Sequence, residues 1–484
     1  MGDRGESQAV ASPATTKPKL RKLPRVELPT SQTPISKAAD AESSGAGNAW
    51  GRTGLERAWL GTLVAASPCF LAPLTSICVF ITLAQYEGSF AQFGKAALEE
   101  GFWSLCVQYG PQLTLKGVLA VVCWIGMQAL LFRYLPGEAQ TGQYTPAGYL
   151  LSYKLNGLSA WIATHVFLAA LCYLGILDPG FIPRNWNSLI GAMNLAGISI
   201  SALAFVKAHA MPTHPEDRKF SASWIYDFYM GVELNPRLGD SFDLKLFSNG
   251  RPGMIAWTLI DISNMAYQYQ TQKYIEPSLI LITVLQTLYV LDFFVNESWY
   301  LRTIDIAHDH YGFYLAWGCF CFLPTTYTIQ GQYLGLYPTS ASTTYLAVWF
   351  AIGLTGYVLF RSANDQKYKV RRSGGKCLIW GKPAEFIVAS YKTSNGKQHE
   401  SLLLCCGWWG LSRHCNYVGD LFLSYSTCAL VGSTHVVVWI YAIWMTMLLV
   451  HRCMRDEKRC SHKYGPAWTE YCKRVPWRFI QGVW

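Results

Sequence analysis

The sequence predicts an all-α fold: a polytopic transmembrane helical bundle of about ten helices, with no Rossmann domain. Three observations carry this. First, 51% of the 484 residues are hydrophobic and only 14% are charged, well below the roughly 25% charged residues of an average soluble domain. Second, apolar segments recur at Leu60–Ala84, Val118–Phe132, Leu158–Leu177, Leu189–Val206, Met254–Tyr267, Leu279–Val295, Tyr311–Leu323, Tyr345–Phe360 and Cys428–Val450. A span needs about 20 such residues, and the shorter runs extend into their flanks. Third, the net charge of +10 sits at the ends of these runs. That is the pattern of cytosolic loops on membrane proteins and a poor fit to nucleic acid.

Residues 1–52 are rich in Ser, Ala, Pro, Thr and Lys and lack the apolar core of a signal peptide. They read as a disordered cytosolic tail, and Lys17, Lys19, Arg21, Lys22 and Arg25 favour the cytosolic side. Residues 53–484 read as one transmembrane domain. Pro68, Pro73 and Pro324 interrupt apolar runs, which helices tolerate when neighbours satisfy the freed backbone groups. The basic tail and the basic Arg452–Lys473 region should share the cytosolic side, so the number of spans should be even. Gln330–Leu336 or Leu402–Leu411 could supply the missing half-span. The polar stretches Ala210–Arg251 and Arg361–Ser401 do not read as separate domains, and no internal repeat stands out. The 15 cysteines show no zinc or secretory spacing and read as reduced, small apolar fillers.

Two cation-rich clusters, Arg413–Asp420 and Arg452–Tyr464, flank an apolar run of membrane length. Polar groups beside lipid are costly unless they serve something, and an anionic cofactor at the membrane surface would explain them. The Gly-x-Gly-x-x-Gly and P-loop patterns are absent. If the helix from Tyr345 continues, Lys367 and Arg371 share a face one turn apart and form a two-cation clamp suited to phosphate. The alternative is a pair of positive-inside flanking residues. Asn416, Tyr417 and Asp456 offer amide, ring and carboxylate contacts. Tyr464, Trp468 and Tyr471 recur at helical spacing, as an aromatic wall or as an interfacial belt.

His308-Asp309-His310 is too sparse for a metal site, and we expect no metal. A buried hydrogen-bonding cluster that orients a substrate or proton donor suits it better. Asp292, Asn296, Glu297, Arg302, Asp305, Asp309 and Tyr327 surround apolar runs. They read as the polar end of an apolar ligand cavity containing a proton source. The structural alternative is pairing of Glu297 with Arg302.

Several ordered blocks resemble one family. They are Glu233-Leu-Asn-Pro-Arg237, Asp243-Leu-Lys-Leu-Phe247, Asn249-Gly-Arg-Pro-Gly253, His308-Asp-His-Tyr-Gly-Phe313, Leu323-Pro-x-x-Tyr327 and Arg413-x-x-Asn416-Tyr417-x-Gly-Asp420. Thr145-Pro-Ala-Gly148, Asn156-Gly-Leu158, Trp161 and Thr164-His165 agree. From about Ala58 to the C-terminus the chain resembles the sterol reductases, which reduce sterol 14,15 or 7,8 double bonds, and it looks nearer the 7-reductases.

The resemblance implies ten helices in the endoplasmic reticulum membrane, cytosolic termini and NADPH as hydride donor. It also implies reduction of the 7,8 bond of a 5,7-diene sterol in cholesterol-type biosynthesis. The bilayer and other sterol-pathway membrane enzymes are the further partners it suggests. Positions matching the family's cofactor site are Lys367, Arg371, Leu404, Trp409, Asn416, Tyr417, Asp456, Cys460, Ser461, His462, Lys463, Tyr464 and Tyr471. Tyr327 matches a tyrosine near the reacting bond and is the candidate proton donor, polarised by His308 or Asp309. Cys319 stands where the family usually carries an acid, so another group must do that acid's work here.

Two other readings compete. Arg455–Glu457, Lys463–Gly465, Trp468, Tyr471 and Val475-Pro476 also resemble membrane methyltransferases that use S-adenosylmethionine, although the upstream blocks do not. A non-catalytic sterol-binding or scaffold protein on the same fold is the other.

Overall fold

The computed structural model describes residues 58–484 except 222 and 394–395. The tail read at 1–52 lies outside the described residues. Six helices are long and apolar enough to cross a membrane: Gly61–Gln85, Leu115–Tyr134, Trp186–Ala210, Pro277–Val295, Thr343–Arg372 and Val436–Tyr464. Gly157–Tyr173 is apolar but shorter. Length and composition therefore give fewer than ten spans among the described residues.

Specific departures explain the difference. Met254–Gln272 is long enough, but it buries Asp261, Asn264 and Gln268, so its composition is not that of a span. The Tyr311–Leu323 run is broken into Phe313–Trp317, a wide π turn at Gly318–Phe322 and Leu323–Thr326. The Cys428–Val450 run is also two pieces. One helix, Cys415–Ala429, ends there, Gly432 turns the chain at φ +71°, and the next helix starts at Val436. A glycine takes that left-handed conformation without steric penalty.

The all-α expectation needs a correction too. Among the described residues, which are mostly helical, four two-stranded antiparallel sheets are present. The larger two pair Glu138–Tyr144 with Leu150–Leu155 and Phe386–Lys392 with Gln398–Leu404. Leu402–Leu411 is thus strand end and short helix, not a half-span, whereas Gln330–Leu336 lies in the helix Ile329–Leu336.

Two long helices position the site. Thr343–Arg372 has 30 residues and Val436–Tyr464 has 29. At 1.5 Å per residue each is about 45 Å long, longer than the roughly 30 Å hydrocarbon layer. Both carry their charges at the C-terminal end. The Cys415–Ala429 helix packs on the first of them backbone to backbone. A Cβ at Gly356 would lie 2.6 Å from the Gly419 carbonyl oxygen, and one at Gly419 would lie 2.6 Å from the Gly356 oxygen. Small residues are what permit so close an approach between helices.

The sequence blocks singled out above assemble into a buried polar frame. Arg251 pairs with Glu297 at 2.7 Å and donates to Asn156 Oδ1 at 2.9 Å. Glu297 also accepts from the Gly157 amide. The expected Glu297–Arg302 pair is therefore not formed; Arg302 lies over the Tyr368 ring. Arg251 is fully buried, and a charge taken from water needs a buried counter-charge more than an exposed one does. Glu233 pairs with Lys207, Asp243 with Arg237, and Asp292 with Arg361. All 15 cysteines are free.

Candidate functional site

Lys367 and Arg371 both lie in the last turns of the continuous Thr343–Arg372 helix. Neither is within salt-bridge distance of a carboxylate among the described residues. Lys367 Nζ sits 4.2 Å over the Trp409 ring. Trp409 is fixed from below, donating its indole N–H to the Ala363 carbonyl at 2.7 Å. Leu404 packs beside Trp409 in the same apolar cluster. Arg371 Nε is buried without a hydrogen-bond partner, and so is Asn416 Oδ1. Asn416 Nδ2 donates to Asn364 Oδ1 at 3.3 Å. These are orphaned groups beside two cations that form no salt bridge among the described residues.

The opposite wall is the Val436–Tyr464 helix. Asp456 chelates Arg459 and lies within electrostatic reach of Lys367 and His414. Lys463 reaches Arg371, Asp456 and Cys460, and stands 3.9 Å over the Tyr391 ring. Cys460, Tyr464, Trp468 and Tyr471 form one buried cluster with Ala389, Leu403 and Val475. The aromatic residues are 4–9% exposed, so they form an internal wall rather than a lipid-facing belt. Tyr471 lies past the turn at Gly465, on the helix Pro466–Arg474. The Cys460–Tyr464 run does not present one surface: Ser461 and His462 are exposed on the outer side, and His462 Nδ1 contacts the Lys458 carbonyl at 2.7 Å. Helical periodicity separates them from the inner residues at 456, 459, 460, 463 and 464.

Tyr417 closes this end. It stacks on His414 at 4.9 Å and packs against Phe479 at 5.9 Å. Burial pushes the His414 imidazole down to about 4, so it is a neutral ring. His414, Cys453 and Glu457 bring potential ligand atoms within 4.8 Å of one another. Both Glu457 oxygens are, however, taken by Arg413, at 2.6 and 3.0 Å. Arg413 also donates to the carbonyls of Val475 and Pro476. It thus ties the C-terminal strap to the site. Arg413→Ala should lower stability by about 3–5 kcal/mol, the usual consequence of breaking a buried pair on one side. The check is the thermal midpoint of the detergent-purified protein.

His308 and Asp309 lie on a loop beside the same helix. Lys245 Nζ donates to the carbonyls of Asp305, Ile306 and Asp309, at 2.8, 2.8 and 2.6 Å. Asn235 donates to the Ile306 carbonyl, and His310 Nε2 meets the Asp217 carbonyl at 3.1 Å. Side chains on the loop engage a ladder of arginines: Asp305 with Arg452, Asp309 with Arg455, and His308 Nε2 with Arg459 at 2.5 Å. Burial, and then the surrounding cations, keep His308 well below its ordinary pKa, so its nitrogen accepts from Arg459. Arg452, Arg455 and Arg459 recur at i, i+3 and i+7, one face of a helix. That spacing was the available signal for a group that the sequence reading left out. Tyr391 left no such signal, because it depends on a hairpin.

Tyr327 packs among aromatic side chains. Its hydroxyl accepts the Trp444 indole N–H at 3.3 Å. Rings of Trp257, Tyr441 and Phe322 surround it at 5.2, 4.9 and 6.3 Å. It nonetheless remains partly accessible. Cys319 is buried with its thiol 3.8 Å from Asn249 Oδ1. The Arg452–Asp305 pair links the tyrosine chamber to the arginine ladder, and the ladder leads to the cation clamp.

Fold and site together define a polytopic membrane protein with a cluster of cationic and aromatic side chains around Lys367 and Arg371 and a second, aromatic cluster around Tyr327. Residues 65–484 match the Ergosterol biosynthesis ERG4/ERG24 family. The 7-dehydrocholesterol reductase of Xenopus laevis is 42% identical, over 92% of this chain and 97% of the relative. That of Danio rerio is 44% identical, over 77% and 80%. The Delta(14)-sterol reductase of Methylotuvimicrobium alcaliphilum is 35% identical, over 88% and 94%. The chain belongs to this family of sterol reductases.

Proposed function

We propose that the protein reduces the 7,8 double bond of a 5,7-diene sterol with NADPH, in the endoplasmic reticulum membrane and with both termini in the cytosol. The observation that carries this reading is the uncompensated clamp. Among the described residues Lys367 and Arg371 form no salt bridge, and a buried donor on Arg371 and a buried acceptor on Asn416 stand without hydrogen-bond partners. Buried polar atoms are normally satisfied, so a phosphate-bearing ligand fits where the protein leaves them open. The two relatives named for 7-dehydrocholesterol exceed the bacterial Delta(14) relative in identity, which favours the 7,8 bond.

In this reading Lys367 and Arg371 hold phosphate, with Lys463 facing them. Asn416 supplies amide contacts, and Leu404, Trp409, Tyr417, Cys460, Tyr464 and Tyr471 form apolar walls. Asp456 keeps Arg459 in place, and Ser461 and His462 stand at the outer lip. NADPH supplies hydride when bound; the protein's contribution is orientation.

An olefin accepts hydride poorly until it is protonated. Adding a proton at carbon 8 of a 5,7-diene leaves an allylic cation over carbons 5 to 7, and hydride then enters at carbon 7. In this reading Tyr327 gives that proton. Its oxygen accepts from Trp444, which leaves its own O–H free to donate and steadies the phenolate left behind. The ring faces of Trp257, Tyr441 and Phe322 suit a passing cation. His308 and Asp309 act at one remove, by fixing Arg459 and Arg455.

The test is expression in microsomes lacking sterol reductases, supplied with NADPH and either a 5,7-diene or an 8,14-diene sterol. Loss of the 5,7-diene supports the proposal. Loss of the 8,14-diene alone reassigns the bond to 14,15. Loss of neither supports a binding or scaffold role. Thermal protection by S-adenosylmethionine instead of NADPH would favour a methyltransferase.

A further inference from the structure

The Thr145–Gly148 block has no part in the site as described. It lies in the turn between the strands Glu138–Tyr144 and Leu150–Leu155, and this hairpin is anchored on several sides. The Ala147 amide donates to Asp217 Oδ1 at 2.8 Å, and the Tyr149 hydroxyl donates to Glu216 at 3.0 Å. The Tyr149 ring stacks on His214 at 4.4 Å. On the strand before the turn, Gln143 donates to the Arg302 carbonyl at 3.1 Å. The hairpin is thus a fixed post, and Tyr144 stands on it.

The strands Phe386–Lys392 and Gln398–Leu404 touch both walls of the candidate site. At their base Phe386 and Leu404 belong to the cluster of Val370 and Trp409, beside the clamp. Farther along, Ala389 and Leu403 belong to the cluster of Cys460, Tyr464 and Tyr471. Side chains alternate along a strand, so Tyr391 shares the inward face of Ala389. Tyr391 and His399 are directly opposed across the pair, where side chains meet, and their rings stack at 5.4 Å. His399 in turn meets Tyr144 of the first hairpin, ring to ring at 4.6 Å, and its Nε2 lies 3.2 Å from Thr393 Oγ1. On the other side Tyr391 carries Lys463 Nζ 3.9 Å over its face and meets the Tyr464 ring edge-on at 5.9 Å. A continuous row of contacts therefore runs from the anchored post to the wall: Tyr144, His399, Tyr391, Lys463.

A lysine ammonium is a point charge on a flexible four-carbon stem. A ring face beneath it attracts the charge and gives it a place. Whatever fixes the ring fixes the cation. Resting on the proposed NADPH site, we infer that Tyr144 and His399 are positioning residues for the cofactor. Their ring contact holds Tyr391, and through it Lys463, so that the ammonium faces the phosphate gripped by Lys367 and Arg371. Neither touches the cofactor.

The test uses the full-length protein in detergent and equilibrium binding of NADPH. Tyr144→Ala should weaken binding by about 3–10-fold, with kcat at saturating NADPH and the thermal midpoint unchanged. His399→Ala should do the same. Tyr144→Phe keeps the ring and should bind as the wild type does. In a Lys463→Met background Tyr144→Ala should cause no further loss, because the two act in one row. Acylation of Lys463 by an amine-reactive reagent, read by peptide mass spectrometry, should be faster in Tyr144→Ala and unchanged in Tyr144→Phe. Wild-type binding in Tyr144→Ala overturns the inference, as does the full loss repeated in the Lys463→Met background. So does an equal loss in the Ala and Phe variants with a fallen thermal midpoint, which would mark a packing role. If the wild-type protein binds no NADPH, the proposed function fails instead. The acylation rates then still decide whether the row holds Lys463, and equal rates in the wild type and Tyr144→Ala would show that it does not.

Discussion

Alanine at both Lys367 and Arg371 is expected to raise the NADPH concentration for half-maximal turnover by about 10²–10⁴-fold. Each charge-assisted hydrogen bond to a phosphate is worth roughly 1.5–3 kcal/mol, and each 1.4 kcal/mol is about tenfold. The effect should fall on KM more than kcat if the clamp holds phosphate, because a phosphate is gripped alike in ground and transition states. Lys367 also covers the Trp409 ring, so Lys367→Met with Arg371→Gln is the better-packed control. Steady-state kinetics on the purified protein checks it. Unchanged NADPH dependence in both double variants would mean that these cations are mere flanking charges.

The second large effect is at Tyr327. Tyr327→Phe removes one hydroxyl and leaves the aromatic nest of Trp257, Phe322 and Tyr441 intact. It should lower kcat by about 10²–10⁴-fold, the usual contribution of a positioned general acid. Sterol and NADPH affinities should change little. The variant strands the Trp444 N–H at 3.3 Å from the missing oxygen, so a modest loss of stability, about 1 kcal/mol, is expected as well. Single-turnover product formation separates the two effects. A Phe variant that turns over at the wild-type rate would move the proton source elsewhere.

Much of the clamp was legible because it rests on helical arithmetic. Lys367 and Arg371 are four apart beyond an apolar run, and the helix does continue from Thr343 to Arg372. Tyr464, Trp468 and Tyr471, read at helical spacing, do share one buried cluster, and the arginines at 452, 455 and 459 could have been read that way. What failed depended on backbone turns and long-range partners. The break near Gly432 lies inside an apolar run, where hydrophobicity carries no mark of a turn. The Phe386–Leu404 hairpin reads as a polar stretch and then an apolar one, yet its Tyr391 lies under Lys463. Glu297 found Arg251 rather than Arg302, since a partner distant in sequence leaves no local pattern. The Trp444 indole that meets the Tyr327 hydroxyl left no mark for the same reason.

The frame of buried pairs also accounts for blocks that carried the family resemblance in sequence. Asn249–Gly253 delivers Arg251 to Glu297 and Asn156. Asp243–Phe247 delivers Lys245 to the carbonyls beneath His308. These residues act on the site by holding a loop, so their replacement should disturb folding before chemistry.

Hydride transfer itself is the direct measurement. Purified protein is given a 5,7-diene sterol with NADPH deuterated at the transferable nicotinamide position in ordinary water, and then ordinary NADPH in heavy water. The product should carry cofactor deuterium at carbon 7 and solvent deuterium at carbon 8. Deuterium from water at both carbons, or none from the cofactor, would contradict a dinucleotide held by this clamp delivering hydride to the sterol.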